Sequence, residues 1–97
     1  MPEVYLPQVE CVLETESGLF GTSVIYILDA DEHPQYLRVP KGDVVRHEGK
    51  PYLDVAVIEV DSRGGRALVE WPSEADSGAR RVWVPLPRFR RQGESGQ

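Results

Sequence analysis

Between closely spaced turn signals, apolar side chains in this chain fall at every second residue, and no segment sustains a 3.6-residue period. A period of two is the mark of a strand with one face on a core, so the chain is expected to be all-β. In the first strand Val9, Cys11 and Leu13 alternate with Gln8, Glu10, Val12 and Glu14, while Pro7 predicts an edge or a bend. Thr15 to Gly18 reads as a turn. A second strand runs from about Phe20 to Asp29, apolar on both faces around Val24 to Leu28 and therefore central. The polar segment Asp29 to Pro34 breaks the pattern before a short strand at Tyr36 to Val39. Lys41-Gly42-Asp43 then turns the chain into Val44-Val45, and Glu48 to Pro51 turns it again.

From Tyr52 to Asp61 the inward set begins as Leu53, Val55 and Val57 and then shifts to Ile58 and Val60. One extra residue moves every later side chain to the other face, so this phase change predicts a β-bulge in a strongly bent strand. Bends of that kind let a small sheet curl toward a barrel. Ser62-Arg63-Gly64-Gly65 is a compact hairpin turn leading to Ala67 to Trp71. Ser73 to Ala79 reads as a longer, mobile loop, and the last strand holds Val82, Val84 and Leu86. The expected architecture is a small, strongly bent antiparallel barrel with an additional N-terminal hairpin. Residues 1–90 would form one domain and residues 91–97 a flexible tail.

The 97 residues suffice for one core, and 40% hydrophobic with 28% charged residues is the composition of a folded protein. The longest strictly apolar run, Val24 to Leu28, is far shorter than the roughly 20 residues of a membrane-spanning helix. Met1-Pro2-Glu3-Val4 has neither the positive charge nor the apolar stretch of a secretory signal, and the single Cys11 cannot form an internal disulfide. Both features set the expectation of a cytoplasmic protein without membrane partners.

Leu37 to Val45, as Leu-Arg-Val-Pro-Lys-Gly-Asp-Val-Val, resembles the Lys-Gly-Asp-hydrophobic turn of Src-homology-3-like small barrels. Ala67 to Trp71, the loop after it, and Val82-Trp83-Val84-Pro85-Leu86-Pro87-Arg88-Phe89 are similar, in the same order, to that fold's final strands and Pro-containing turn. The resemblance covers roughly residues 36–90. It implies a barrel and no activity, because a paired Trp-Trp and an aromatic-rich opening strand are missing.

No catalytic motif is present. Nucleophilic catalysis needs an activated Ser or Cys beside a base, yet the only histidines are His33 and His47 and Cys11 falls on the core face. Gly64-Gly65 is explained by its hairpin and fits no phosphate loop. Asp29, Asp31, Glu32 and His33 gather donor atoms, but their spacing matches neither a calcium loop nor a zinc pair and reads as an acidic turn. Neither an enzyme nor a metal, cofactor or small-molecule site is expected.

Charge is distributed unevenly. The first 37 residues carry seven carboxylates and no Lys or Arg, whereas Arg80 to Arg91 holds five arginines and no acid, in a chain of net charge −5. If Val82 and Val84 point inward, Arg81 and Trp83 point outward with Arg80, Arg88, Arg90 and Arg91 nearby. Trp and Arg are enriched where proteins bind one another. Arg80, Arg81, Trp83, Arg88 and Phe89 are accordingly the candidate binding residues of a noncatalytic protein-interaction module. Its partner is another protein or a second copy, the acidic hairpin of one chain meeting the basic strand of the other. Two alternatives use the same residues differently. Arg and Trp together also suit RNA or single-stranded DNA, against which the net charge speaks. Glu10, Glu14 and Glu16 could serve as an acidic decoy or inhibitor of a basic target, although solvated glutamates on the outer face of a strand account for them as well. The bland reading of Trp83 covers it with another strand, the N-terminal segment or arginine stems.

Overall fold

The computed structural model describes residues 4–17, 21–72 and 75–92, with the side chains of 14–17 outside that description. Ten strands follow one another among the described residues: β1 Tyr5–Glu10, β2 Val12–Ser17, β3 Thr22–Leu28, β4 Pro34–Pro40, β5 Val44–His47, β6 Lys50–Asp54, β7 Ala56–Asp61, β8 Arg66–Glu70, β9 Arg81–Pro85 and β10 Phe89–Arg91. Single helical turns at Lys41–Asp43 and Leu86–Arg88 precede β5 and β10. The fold is all-β, as the alternation requires. No helix among the described residues is long and apolar enough to cross a membrane.

The strands form three antiparallel sheets in the orders β10-β1-β6-β5, β2-β3-β4 and β7-β8-β9. Each sheet is open in its hydrogen-bonded order, where the sequence led us to expect one closed barrel. Strand β3 is central in its sheet, as its two apolar faces predicted, with Ser23, Ile25 and Ile27 buried and Val24, Tyr26 and Leu28 half-buried. The chain changes sheets four times, between β1 and β2, β4 and β5, β6 and β7, and β9 and β10, and backbone hydrogen bonds hold two of these crossings. It leaves β1 for β2 at Cys11, whose N–H donates to the Pro51 carbonyl at 3.1 Å. It leaves β6 for β7 at Val55, whose N–H donates to the Pro7 carbonyl at 3.0 Å. The single bent strand expected over Tyr52 to Asp61 is thus two strands in different sheets.

The core draws on all three sheets, with Val9, Leu37, Leu53, Val69, Trp71 and Val84 essentially without solvent contact. Two further segments make contacts with the body of the fold. Ala75, in the loop expected to be mobile, is buried, and the neighbouring Asp76 N–H donates to the Tyr36 carbonyl at 2.8 Å. Arg90 and Arg91 belong to β10, and residues 93–97 lie outside the described set. Thr15, Glu16 and Ser17, expected to turn, instead continue β2 opposite Val24, Ser23 and Thr22, because pairing with β3 extends the ladder through them; Gly18 lies outside the described residues.

Strand β7 holds the largest departure. The bulge is where the phase change put it, between Val57 and Glu59. The side chains assigned to the core are not buried, however: Val57, Ile58 and Val60 are 42%, 44% and 55% exposed. Because β7 is the outer strand of its sheet, its inner face lies across an open groove from Tyr5, Leu6 and Pro7 instead of packing against them.

Candidate functional site

Residues directly opposite in an antiparallel pair share a face. The register of β8 with β9 therefore puts Glu70 with Arg81, Leu68 with Trp83, and Arg66 with Pro85 on the outer face of their sheet. Arg81 and Trp83 do project together away from the core, and they meet partners from their own chain. Arg81 Nε donates to Glu70 Oε1 at 3.0 Å, and Arg80 Nε lies 3.8 Å from Glu70 Oε2. Trp83 is half-buried, with the Arg66 guanidinium 4.3 Å from its ring centroid. Arg66 Nε also donates to Asp61 Oδ2 at 3.2 Å. The Gly64 N–H and then Arg66 hold the Asp61 carboxyl below the usual Asp value. On the outer face Arg80, Arg81 and Arg66 each lie against a carboxylate of their own chain, while the Arg80 and Arg81 side chains stay more than half exposed.

The other sequence candidates do not join this ladder. Phe89 is 5% exposed and packs edge-on against Tyr5 at 6.4 Å between centroids, so it does not lie on the Arg81 and Trp83 face where the sequence grouped it. It starts β10, and pairing with Val9 turns its ring inward. Arg88 is half-buried in the helical turn before it. Arg90 Nη1 donates to Gln8 Oε1 at 2.9 Å, and Gln8 Nε2 donates to Asp54 Oδ1 at 2.8 Å. The acidic and basic ends of the chain meet as backbone: β10 pairs with β1, and the Gln92 N–H donates to the Val4 carbonyl at 2.8 Å.

In the acidic turn, ligand atoms of Asp29, Asp31 and His33 lie within 4.8 Å of one another. Burial of Asp29 opposes its charge. Hydrogen bonds from the His33 N–H at 2.9 Å, the Gln35 amide at 3.0 Å and the Asp31 N–H at 2.9 Å outweigh that cost and leave its carboxyl below the usual value. These donors occupy both carboxylate oxygens, and they account for the turn on structural grounds. Cys11 is buried, and desolvation pushes its thiol up to about 12, far from a nucleophile's range.

The sequence reading missed the groove. It holds about 490 Å³, with Tyr5, Leu6 and Pro7 on one side, Val57 and Val60 on the other, and the buried Ala67 and Phe89 at its floor. The lining is mostly apolar, with Tyr5 and Ser62 as its polar members, which suits an extended apolar segment. A signal for it existed in the Val57-Ile58 break of alternation, which marks a strand whose inner face changes course. No protein-family model, curated protein or solved structure matches the chain.

Proposed function

We propose that the chain is a noncatalytic protein-interaction module, built on the plan of a Src-homology-3-like small barrel, that docks its partner on the groove between β1 and β7. The observation that carries this reading is the exposure of Val57, Ile58 and Val60 beside an apolar groove, on an outer strand, in a protein of only 97 residues. Large aliphatic side chains gathered on one edge add solvent-exposed apolar surface unless something covers them. Support for the barrel plan comes from connectivity. One run of chain, β6 and β7, serves two sheets; β7, β8 and β9 follow as a meander; and a helical turn leads into β10, which returns to β1.

The Arg81 and Trp83 face gives less support, because Glu70 and Arg66 already engage those side chains. The same pairings weaken the nucleic-acid reading. Affinity capture with wild type, Val60→Lys and Arg81→Glu tests the proposal. A partner lost with Val60→Lys and retained with Arg81→Glu is the expected outcome. Retention with Val60→Lys and loss with Arg81→Glu would move the site to the outer face of β9.

A further inference from the structure

Strand β7 bonds to β8 on one side only, and along its other edge the described residues make no backbone hydrogen bond. Its register fixes which way its residues face. Ala56, Glu59 and Asp61 stand opposite Glu70, Leu68 and Arg66, on the Trp83 side of the sheet. Val57 and Val60 stand opposite Val69 and Ala67, which are buried, and so belong to the groove side. Ile58 is the inserted residue of the bulge. From either end the strand reads outer, inner, two central residues, inner, outer, a pattern symmetric about the point between Ile58 and Glu59.

A regular strand of six residues lacks that symmetry, because alternation puts its two halves out of phase; the bulge restores it. We infer that the partner of this site is a second copy of the chain, whose β7 adds antiparallel to β7 about a two-fold axis between Ile58 and Glu59. In this register Val57 meets Val60 of the second copy, twice, on the groove side. Ala56 meets Asp61, and Ile58 meets Glu59. Faces match at the Ala56–Asp61 and Val57–Val60 pairs, the inserted Ile58 falls at the centre beside Glu59, and no carboxylate lies directly opposite another. Registers centred on Ile58 or Glu59 would set inner residues against outer ones, and one centred on Val60 would set Glu59 against Asp61. The two three-stranded sheets would join as one of six, with the two grooves made continuous.

The inference rests on the protein-interaction reading of the groove and names its partner. Paired strands and joined grooves would bury on the order of 1,000 Å², the lower end for a specific interface, so association belongs in the micromolar range. Each copy carries a net charge of −5, so repulsion opposes an apolar joint and added salt strengthens it. Pairing of the acidic hairpin with the basic strand would respond to salt in the opposite sense.

Sedimentation velocity of the full chain, over a concentration series at low and high salt, tests this directly. The expected result is a mass rising from 10.9 kDa toward twice that value, at lower concentration in high salt. Val57→Lys and Val60→Lys, both at exposed positions, should each raise the dissociation constant at least about tenfold. Register is read by oxidising a mixture of Val57→Cys and Val60→Cys proteins. The mixture should cross-link, while neither variant alone does so, and the buried native Cys11 should not compete. A single protomer mass up to about 1 mM, dimers that weaken with salt, or cross-linking of either variant with itself would each overturn the proposal. If the chain stays monomeric yet a different captured protein is lost with Val60→Lys, self-pairing falls while the module reading stands.

Discussion

The Arg66 guanidinium stacks 4.3 Å from the centre of the Trp83 ring while its Nε donates to Asp61. One side chain on β8 thereby ties β9 to β7 across the outer face of the sheet. A cation held over an indole is attracted by the ring's negative face, and the aliphatic stem covers apolar area at the same time. This contact explains how a large aromatic on a two-sided sheet avoids full exposure.

Replacing Arg66 with Ala should remove the stacking, worth about 0.5–1 kcal/mol at an exposed site. In a domain of this size the melting temperature should fall by a few degrees. Trp83 emission should shift to the red as water reaches the ring, and Arg66→Lys should lose less. Thermal unfolding followed by fluorescence reads both effects, and an unchanged spectrum in Arg66→Ala would contradict the stacked geometry.

Acid should destabilise the fold partly through Asp29 and Asp61. Both carboxyls are held below the ordinary value of 3.8, so the unfolded chain takes up protons first as pH falls. Their contribution is full above that value and is lost as pH drops through the lower folded values. In urea titrations between pH 6 and pH 2, Asp29→Ala should flatten this acid limb. It should also cost about 1–3 kcal/mol at neutral pH, because the Asp31 and His33 N–H groups lose their acceptor.

Phe89 and Arg81 stand as neighbours in the sequence candidate set and should separate on substitution. Phe89→Ala removes a buried ring from the contact with Tyr5 and should cost about 3–5 kcal/mol. Arg81→Ala breaks an ion pair with both side chains partly solvated, and its effect should stay below about 1 kcal/mol. Equilibrium denaturation of the two variants compares them, and equal losses would mean that Phe89 is not a core residue.

Cys11 should resist thiol reagents while the chain is folded. The residue is 4% exposed and burial pushes its thiol up to about 12 from 9.0, so at pH 8 it is neither accessible nor ionised. A raised thiol pKa favours the folded state below the unfolded value, and that advantage shrinks as pH climbs from 9 toward 12. Alkylation at pH 8 with and without denaturant measures the protection. Rapid native-state labelling would show that the β1–β2 junction is open.

Much of the strand pattern was legible because alternation is local: Val9, Cys11, Leu53 and Val84 are inward in the sequence and buried in the structure. The bulge in β7 was legible for the same reason, since an inserted residue leaves its mark in the order of side chains. The fate of the residues around it was not. Val57 and Val60 keep the inward orientation their spacing predicts, yet remain exposed because nothing described packs over them.

The candidate site shows the same division. That Arg81 and Trp83 face away from the core follows from Val84 by counting, but their engagement by Glu70 and Arg66 depends on the register of β8 with β9. Charge asymmetry along the chain suggested that the acidic and basic ends attract. The ends do meet, through the backbone ladder of β1 and β10, while Arg80 and Arg81 find Glu70 beside them.

By itself the sequence determined that this protein is a sheet former with one thiol, no sustained helical period and an inward face that can be counted along strands such as those of Val9, Leu53 and Val84. Only the tertiary structure decided which strands lie at the edges, where the chain crosses between sheets, and that Phe89 closes the core while Val57 and Val60 line a groove. The physical reason is range. Alternation is set by the geometry of adjacent residues, whereas burial is set by what another part of the chain brings to the same place.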